Sequence, residues 1–238
     1  MDLDPDHSSA RGDQEALQRV LLSALERAGL PGPPPELSLP LHPAAAKAAR
    51  ERTLTPGRAA ELARQLTTAD TATGPVEWPV ELPGSWQPAD RATFASGVRL
   101  LAAVWPRMLD ELRETVSRVT LLDALPTGAA ALGVAAIDRQ SLTPAPSGLP
   151  ASVRLAEALV YEGTRCRAAA AAATHETTNE PSDRAVALAR CVLLYERLLG
   201  AGPAAEPAME ERYGRLRAEL GATAGGGGLL GRGEGVTA

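Results

Sequence analysis

From Phe94 to Val116 the apolar side chains Phe94, Val98, Leu101, Trp105, Met108, Leu112 and Val116 recur at steps of three and four. That spacing places them on one stripe of an α-helix and excludes a strand, whose faces alternate with a period of two. Pro106 stands inside the stripe, where it removes a backbone donor and collides with the preceding turn, so the sequence predicts a break or kink near Val104. A chain built around such a stripe folds by packing helices, and the other segments agree. Leu17, Val20, Leu21, Ala24 and Ala28 form a first amphipathic helix from about Asp13, ended by Gly29 and the Pro31 to Pro35 run. Pro43 to Arg52 and Pro56 to Thr68 read as two more, the second with Thr55 as N-cap. A helix starting close to Ser152 places Leu155, Ala156, Leu159, Val160 and Gly163 on one face and runs into the alanine tract 168–173. Asp183 to Leu199, with Val186, Ala189, Val192 and Leu199 expected inward, and Pro207 to Leu220, with Met209, Tyr213, Leu216 and Leu220 as its stripe, complete the set.

Strands are expected in one place only. Arg118 to Leu122 and Ala131 to Asp138 flank a Pro126-Thr127-Gly128 turn signal and predict a small hairpin or sheet. Between Asp70 and Pro88, prolines and glycines interleave with Trp78 and Trp86, which reads as an irregular segment pinned by its tryptophans. The fold class is therefore mainly α with a small β-hairpin or sheet. The expected organisation is a disordered N-terminus 1–12, a single mainly helical domain 13–221, and a disordered glycine-rich tail 222–238.

Composition narrows the function classes. Hydrophobic residues make up 45% of the chain but aromatics only 3%, so the few rings anchor a thinly filled core. The net charge of −5, with no basic stripe, argues against nucleic acid as a partner. No signal peptide and no stretch near the ~20 apolar residues of a membrane span stand out, so the expected setting is cytoplasmic. Cys166 and Cys191 fit a reducing compartment as small buried side chains. Lys47 is the single lysine among 24 basic residues, a bias that suggests a high-GC bacterial genome and leaves almost no lysine for Schiff-base or P-loop chemistry. No G-x-S-x-G elbow and no P-loop motif is present.

The segment Leu155-Ala156-Glu157-Ala158-Leu159-Val160-Tyr161-Glu162-Gly163-Thr164-Arg165, placed after a strand pair and a Pro/Gly loop, resembles the motif region of a bacterial family of HExxH-motif proteins. In that family an "LAEALVHE" helix follows a short sheet. Members are associated with peptide natural-product maturation, and some are described as iron and 2-oxoglutarate-dependent peptide β-hydroxylases. The resemblance covers roughly Val116 to Cys166, about a fifth of the chain, and implies a zincin-like helix beside a short sheet. HExxH chemistry needs two imidazoles one turn apart on one face, with the Glu beside the first polarising a metal-bound water. Here Tyr161 stands at the first His position and Arg165 at the second, and Glu162 alone keeps its identity. Phenol is a poor ligand near neutral pH and guanidinium repels a cation. The resemblance thus implies a relative with no metal and no cofactor, whose motif has become a polar patch of Tyr161, Glu162 and Arg165.

The expected function is a non-catalytic accessory protein that binds a peptide or a partner protein in bacterial peptide natural-product biosynthesis. Two other readings stay open: an active metal-dependent peptide-modifying enzyme, hydroxylase or hydrolase, with an atypical site around His175, Glu176 and Glu162, and an unrelated helical adaptor. His175-Glu176-Thr177-Thr178-Asn179 ends an alanine helix before Pro181 and reads as an exposed loop, and His7 and His42 are dispersed from it. Asp110, Glu111 and Glu114, alongside Arg107, Arg113 and Arg118, read as solvated intrahelical pairs. Glu162 with Arg165 and Glu157 with Tyr161 are neighbours at helical spacing that could knit the patch together.

Overall fold

A computed structural model describes residues 3–27, 78, 80, 82, 86–123, 133–174, 183–201 and 207–225. Among these the chain is mainly helical, with one small sheet. The elements are α1 (His7–Arg27), α2 (Pro88–Val104), α3 (Pro106–Thr115), β1 (Arg118–Leu122), β2 (Val134–Asp138), a 3-10 turn η1 (Arg139–Leu142), α4 (Ala151–Thr174), α5 (Asp183–Ala201) and α6 (Pro207–Gly225). No helix among the described residues is long and apolar enough to cross a membrane. The two helices expected between Pro43 and Thr68, the His175 segment and the chain after Gly225 lie outside the described residues.

Proline divides the long stripe where its chemistry requires. α2 ends at Val104, Trp105 takes a non-helical conformation (φ −150°, ψ 67°), and Pro106 opens α3 at a position that needs no amide donor. Every residue of the predicted stripe is buried, Phe94, Val98, Leu101, Met108, Leu112 and Val116 among them with no measurable exposure. Trp78 stacks on Phe94 at 5.7 Å between ring centroids, and Trp86 meets the same ring edge-on at 5.3 Å. The Trp86 indole donates to the Val119 carbonyl at 3.1 Å, tying the segment before α2 to the sheet.

β1 and β2 pair in parallel, Arg118 opposite Val134 through Leu122 opposite Asp138. The arrangement is therefore a sheet and not a hairpin, because parallel strands need a crossover where a tight turn would give the antiparallel pair. The register is set at its entry: the amides of Ser117 and Arg118 donate to the carbonyl of Gly133, whose φ of 73° suits a residue without a Cβ. β2 is shorter than its sequence pattern suggested and begins at Val134. Val119, Leu121, Ala135 and Ile137 alternate inward, giving one face to the core.

α4 is the central element and touches α2, α3, β2, η1, α5 and α1. Its expected inner face, Leu155, Ala156, Leu159, Val160 and Gly163, is buried throughout. Gly163 is fixed by packing: a Cβ there would collide with Leu112 Cδ2 of α3. α5 departs from its predicted single stripe. It lies between α4 and α6 and buries Ala187, Leu188, Cys191, Leu194, Tyr195 and Leu198, whereas Val186, Ala189 and Leu199 are only half-buried.

α1 begins at His7, ahead of the Asp13 start that its polar first residues suggested, and rests on α3 and α4. Ion pairs explain the difference. Asp13 is buried against Arg167, which also donates to Ser9 Oγ at 2.8 Å, and Arg11 pairs with Glu114 at 2.5 Å. α6 likewise continues to Gly225, beyond the Leu220 end of its apolar stripe.

Candidate functional site

Tyr161, Glu162 and Arg165 occupy one turn in the middle of α4. Glu162 is buried, and its Oε1 accepts from Arg165 Nη1 at 3.0 Å, the pair expected from their spacing. The Arg165 guanidinium also lies 5.9 Å from the centre of the Tyr161 ring, near the outer limit of a cation–π contact. Burial pushes the Glu162 carboxyl up, and the charge and hydrogen bond of Arg165 act against that rise. Burial also raises the Tyr161 phenol, so it remains a neutral donor near neutral pH.

These residues do not fit a divalent metal. The carboxylate is already held by a guanidinium, and the second ligand position carries a fixed positive charge. Among the described residues no group of three or more His, Cys, Asp or Glu side chains is arranged to hold a metal ion.

Tyr161 and Glu162 face a cleft of about 290 Å³. One wall is the end of β2 with η1, and the other comes from α5 and α6 through Arg184, Leu188 and Leu216. Arg165 lies outside this lining, so the motif's own cation secures Glu162 from behind while Arg184 of α5 brings positive charge to the cleft. A second cleft, of about 500 Å³, adjoins the first between the loop 143–150 and α6. The two share Ser141, Glu157 and Arg212 and so adjoin as two halves of a groove that meet at these side chains.

Glu157 marks the boundary. It was expected beside Tyr161, one turn along α4, but its side-chain hydrogen-bond partners come from other helices. Tyr195 of α5 donates to it at 2.8 Å, and Arg212 of α6 donates through Nε at 3.1 and 3.2 Å and through Nη2 at 2.5 Å. Burial and then the neighbouring carboxylate hold the Tyr195 phenol far above its ordinary range, and the same carboxylate raises the Arg212 guanidinium. α6 is thereby fixed as the outer wall of the groove. Sequence reasoning missed this pair because Glu157 and Arg212 are 55 residues apart and no local spacing relates them.

Glu111 is a second correction. Read as part of a solvated helical cluster, it is 1% exposed and forms a two-point ion pair with Arg190 of α5, and it accepts the amide of Asp6 at 2.9 Å. A signal was present: Glu111 lies three residues beyond Met108 and next to Leu112, within the inward face. Asp110 and Arg113 do form the expected surface pair, at 2.8 Å. Cys166 and Cys191 are free and buried; burial pushes the first thiol up to about 12 and the second well above its ordinary value, which leaves neither as a nucleophile near neutral pH.

No protein-family model matches the chain, and no curated protein matches it significantly.

Proposed function

We propose that this chain is a non-catalytic binding protein that takes an extended peptide, or a peptide segment of a partner protein, in the groove over α4. The observation that carries the reading is that two clefts adjoin at Ser141, Glu157 and Arg212. Each has the size of a small-ligand pocket, whose usual range is about 300–1,000 Å³, and together they offer an elongated site. Half-buried Ala136 and Ala158 give the first cleft apolar surface that suits a peptide side chain, while the polar residues around them suit its backbone. Among the described residues β2 pairs on one side only, and its end forms a wall of the groove, where strand addition is a recurring mode of peptide capture.

The motif positions support binding over metal chemistry, because Glu162 and Arg165 already satisfy each other and Tyr161 presents an undissociated phenol. The resemblance of Leu155 to Arg165 to the HExxH proteins makes the peptides and enzymes of natural-product maturation the ligands to try first. A direct test uses Ala158, half-buried in the first cleft. Ala158→Trp fills the cleft without altering a charge. Peptides selected from a random library on the wild-type chain should then lose binding while the melting temperature changes little. Undiminished binding by a folded Ala158→Trp variant would place the ligand elsewhere and refute the groove.

A further inference from the structure

The two halves of the groove differ in charge, and the difference names a ligand group. The first cleft presents four acids, Asp138, Glu157, Glu162 and Glu219, with two arginines, Arg184 and Arg212, while Arg165 answers Glu162 from outside the lining. The second presents three arginines, Arg154, Arg212 and Arg215, with two acids, Glu157 and Glu211. In the second, Arg212 already answers the charge of Glu157 through hydrogen bonds from Nε and Nη2. Glu211 stands 3.7 Å from Arg215, with both side chains more than half exposed, so water and an incoming anion compete readily for that guanidinium. Arg154 donates to the Thr143 carbonyl at 2.7 Å, a neutral acceptor, and among the described residues no carboxylate forms an ion pair with it. Ser141 and Ser147 add hydroxyl groups to the same lining.

We propose that the cleft between the loop 143–150 and α6 binds a carboxylate of the peptide ligand, with Arg154 and Arg215 as the residues that read it. The assignment rests on the groove reading above and deepens it. Guanidinium groups bind carboxylates by charge-assisted, often two-point, hydrogen bonds, and Ser hydroxyls can donate to the remaining lone pairs. The acidic first cleft disfavours the same group, so the charge difference also sets the direction in which a peptide lies. The carboxylate can come from an Asp or Glu side chain or from the chain terminus.

The test uses the full chain and a random heptapeptide library with free C-termini. Selected peptides are resynthesised with each Asp or Glu changed to its amide and, separately, with an amidated C-terminus. One of the two changes should weaken binding on the order of tenfold or more, and which one does so identifies the source of the carboxylate. Arg154→Ala and Arg215→Ala should each reproduce that loss on the order of tenfold, with melting temperatures near wild type, and Arg154→Lys should restore part of it. Added salt should weaken the wild-type complex more than either variant's. If both amide changes and both arginine variants leave affinity unaltered while Ala158→Trp abolishes it, the carboxylate subsite is overturned and the groove stands. If no peptide is selected, or Ala158→Trp has no effect, the groove reading falls and this assignment with it.

Discussion

Glu162 is held in a buried position by one guanidinium, and that balance gives the site a measurable pH response. Because burial raises its folded-state carboxyl above the ordinary carboxylate range, the folded chain holds the proton more tightly than the unfolded chain. The stability this contributes is present at acid pH and is lost as pH rises through the folded value. Glu162→Gln should therefore be at least as stable as wild type at pH 7, and its advantage should shrink as pH falls toward the carboxylate range, as followed by thermal melting. Arg165→Ala should have the reverse character: it leaves Glu162 buried without its nearest cation, lowers stability at pH 7 by about 1–3 kcal/mol, and recovers much of the loss when combined with Glu162→Gln. The pair itself could be read from the sequence, since residues three apart on a helix meet. That Arg165 secures the carboxylate from outside the cleft, while Arg184 supplies charge within it, depends on how α5 is rotated against α4, and no local spacing encodes that.

At the scale of elements, α2, α3 and α4 were readable because each carries a periodic apolar face. Pro106 dividing α2 from α3 is the clearest case. The parallel sense of β1 and β2 was not readable, because the alternation of Val119 and Leu121 or of Ala135 and Ile137 fixes a face and carries no strand direction. Nor was the α5 surface, since a helix packed on two sides has no single stripe. Two contacts between elements should dominate stability. Gly163→Ala forces Leu112, which is fully buried, out of its place between α3 and α4 and should cost about 1–3 kcal/mol in chemical denaturation. Glu111→Ala leaves Arg190 buried without its carboxylate and frees the Asp6 amide, and should cost about 3–5 kcal/mol, with the N-terminal segment becoming more open to proteolysis. A variant that melts like wild type and keeps that segment resistant would show that the pair does not hold α1 in place.

Over the whole molecule, the folded chain joins its helices through long-range ion pairs, one of them, at Glu111, where its sequence suggested a solvated surface. Glu111 with Arg190, Asp13 with Arg167 and Glu157 with Arg212 each join helices distant in sequence, and the last one builds the groove. The stretch of α4 that carries the motif resemblance borders a cleft, yet the groove's second half, with Arg154 and Arg215, required the return of α6 across the loop 143–150. Amide hydrogen exchange of the full chain, with and without a library-selected peptide, tests the binding-groove account most directly. The account predicts slowed exchange in Val134–Asp138, in the loop 143–150 and at the start of α4, together with α6, and little change in α1 or α3. Protection confined to surfaces away from these segments, with the groove unchanged under saturating peptide, would contradict it.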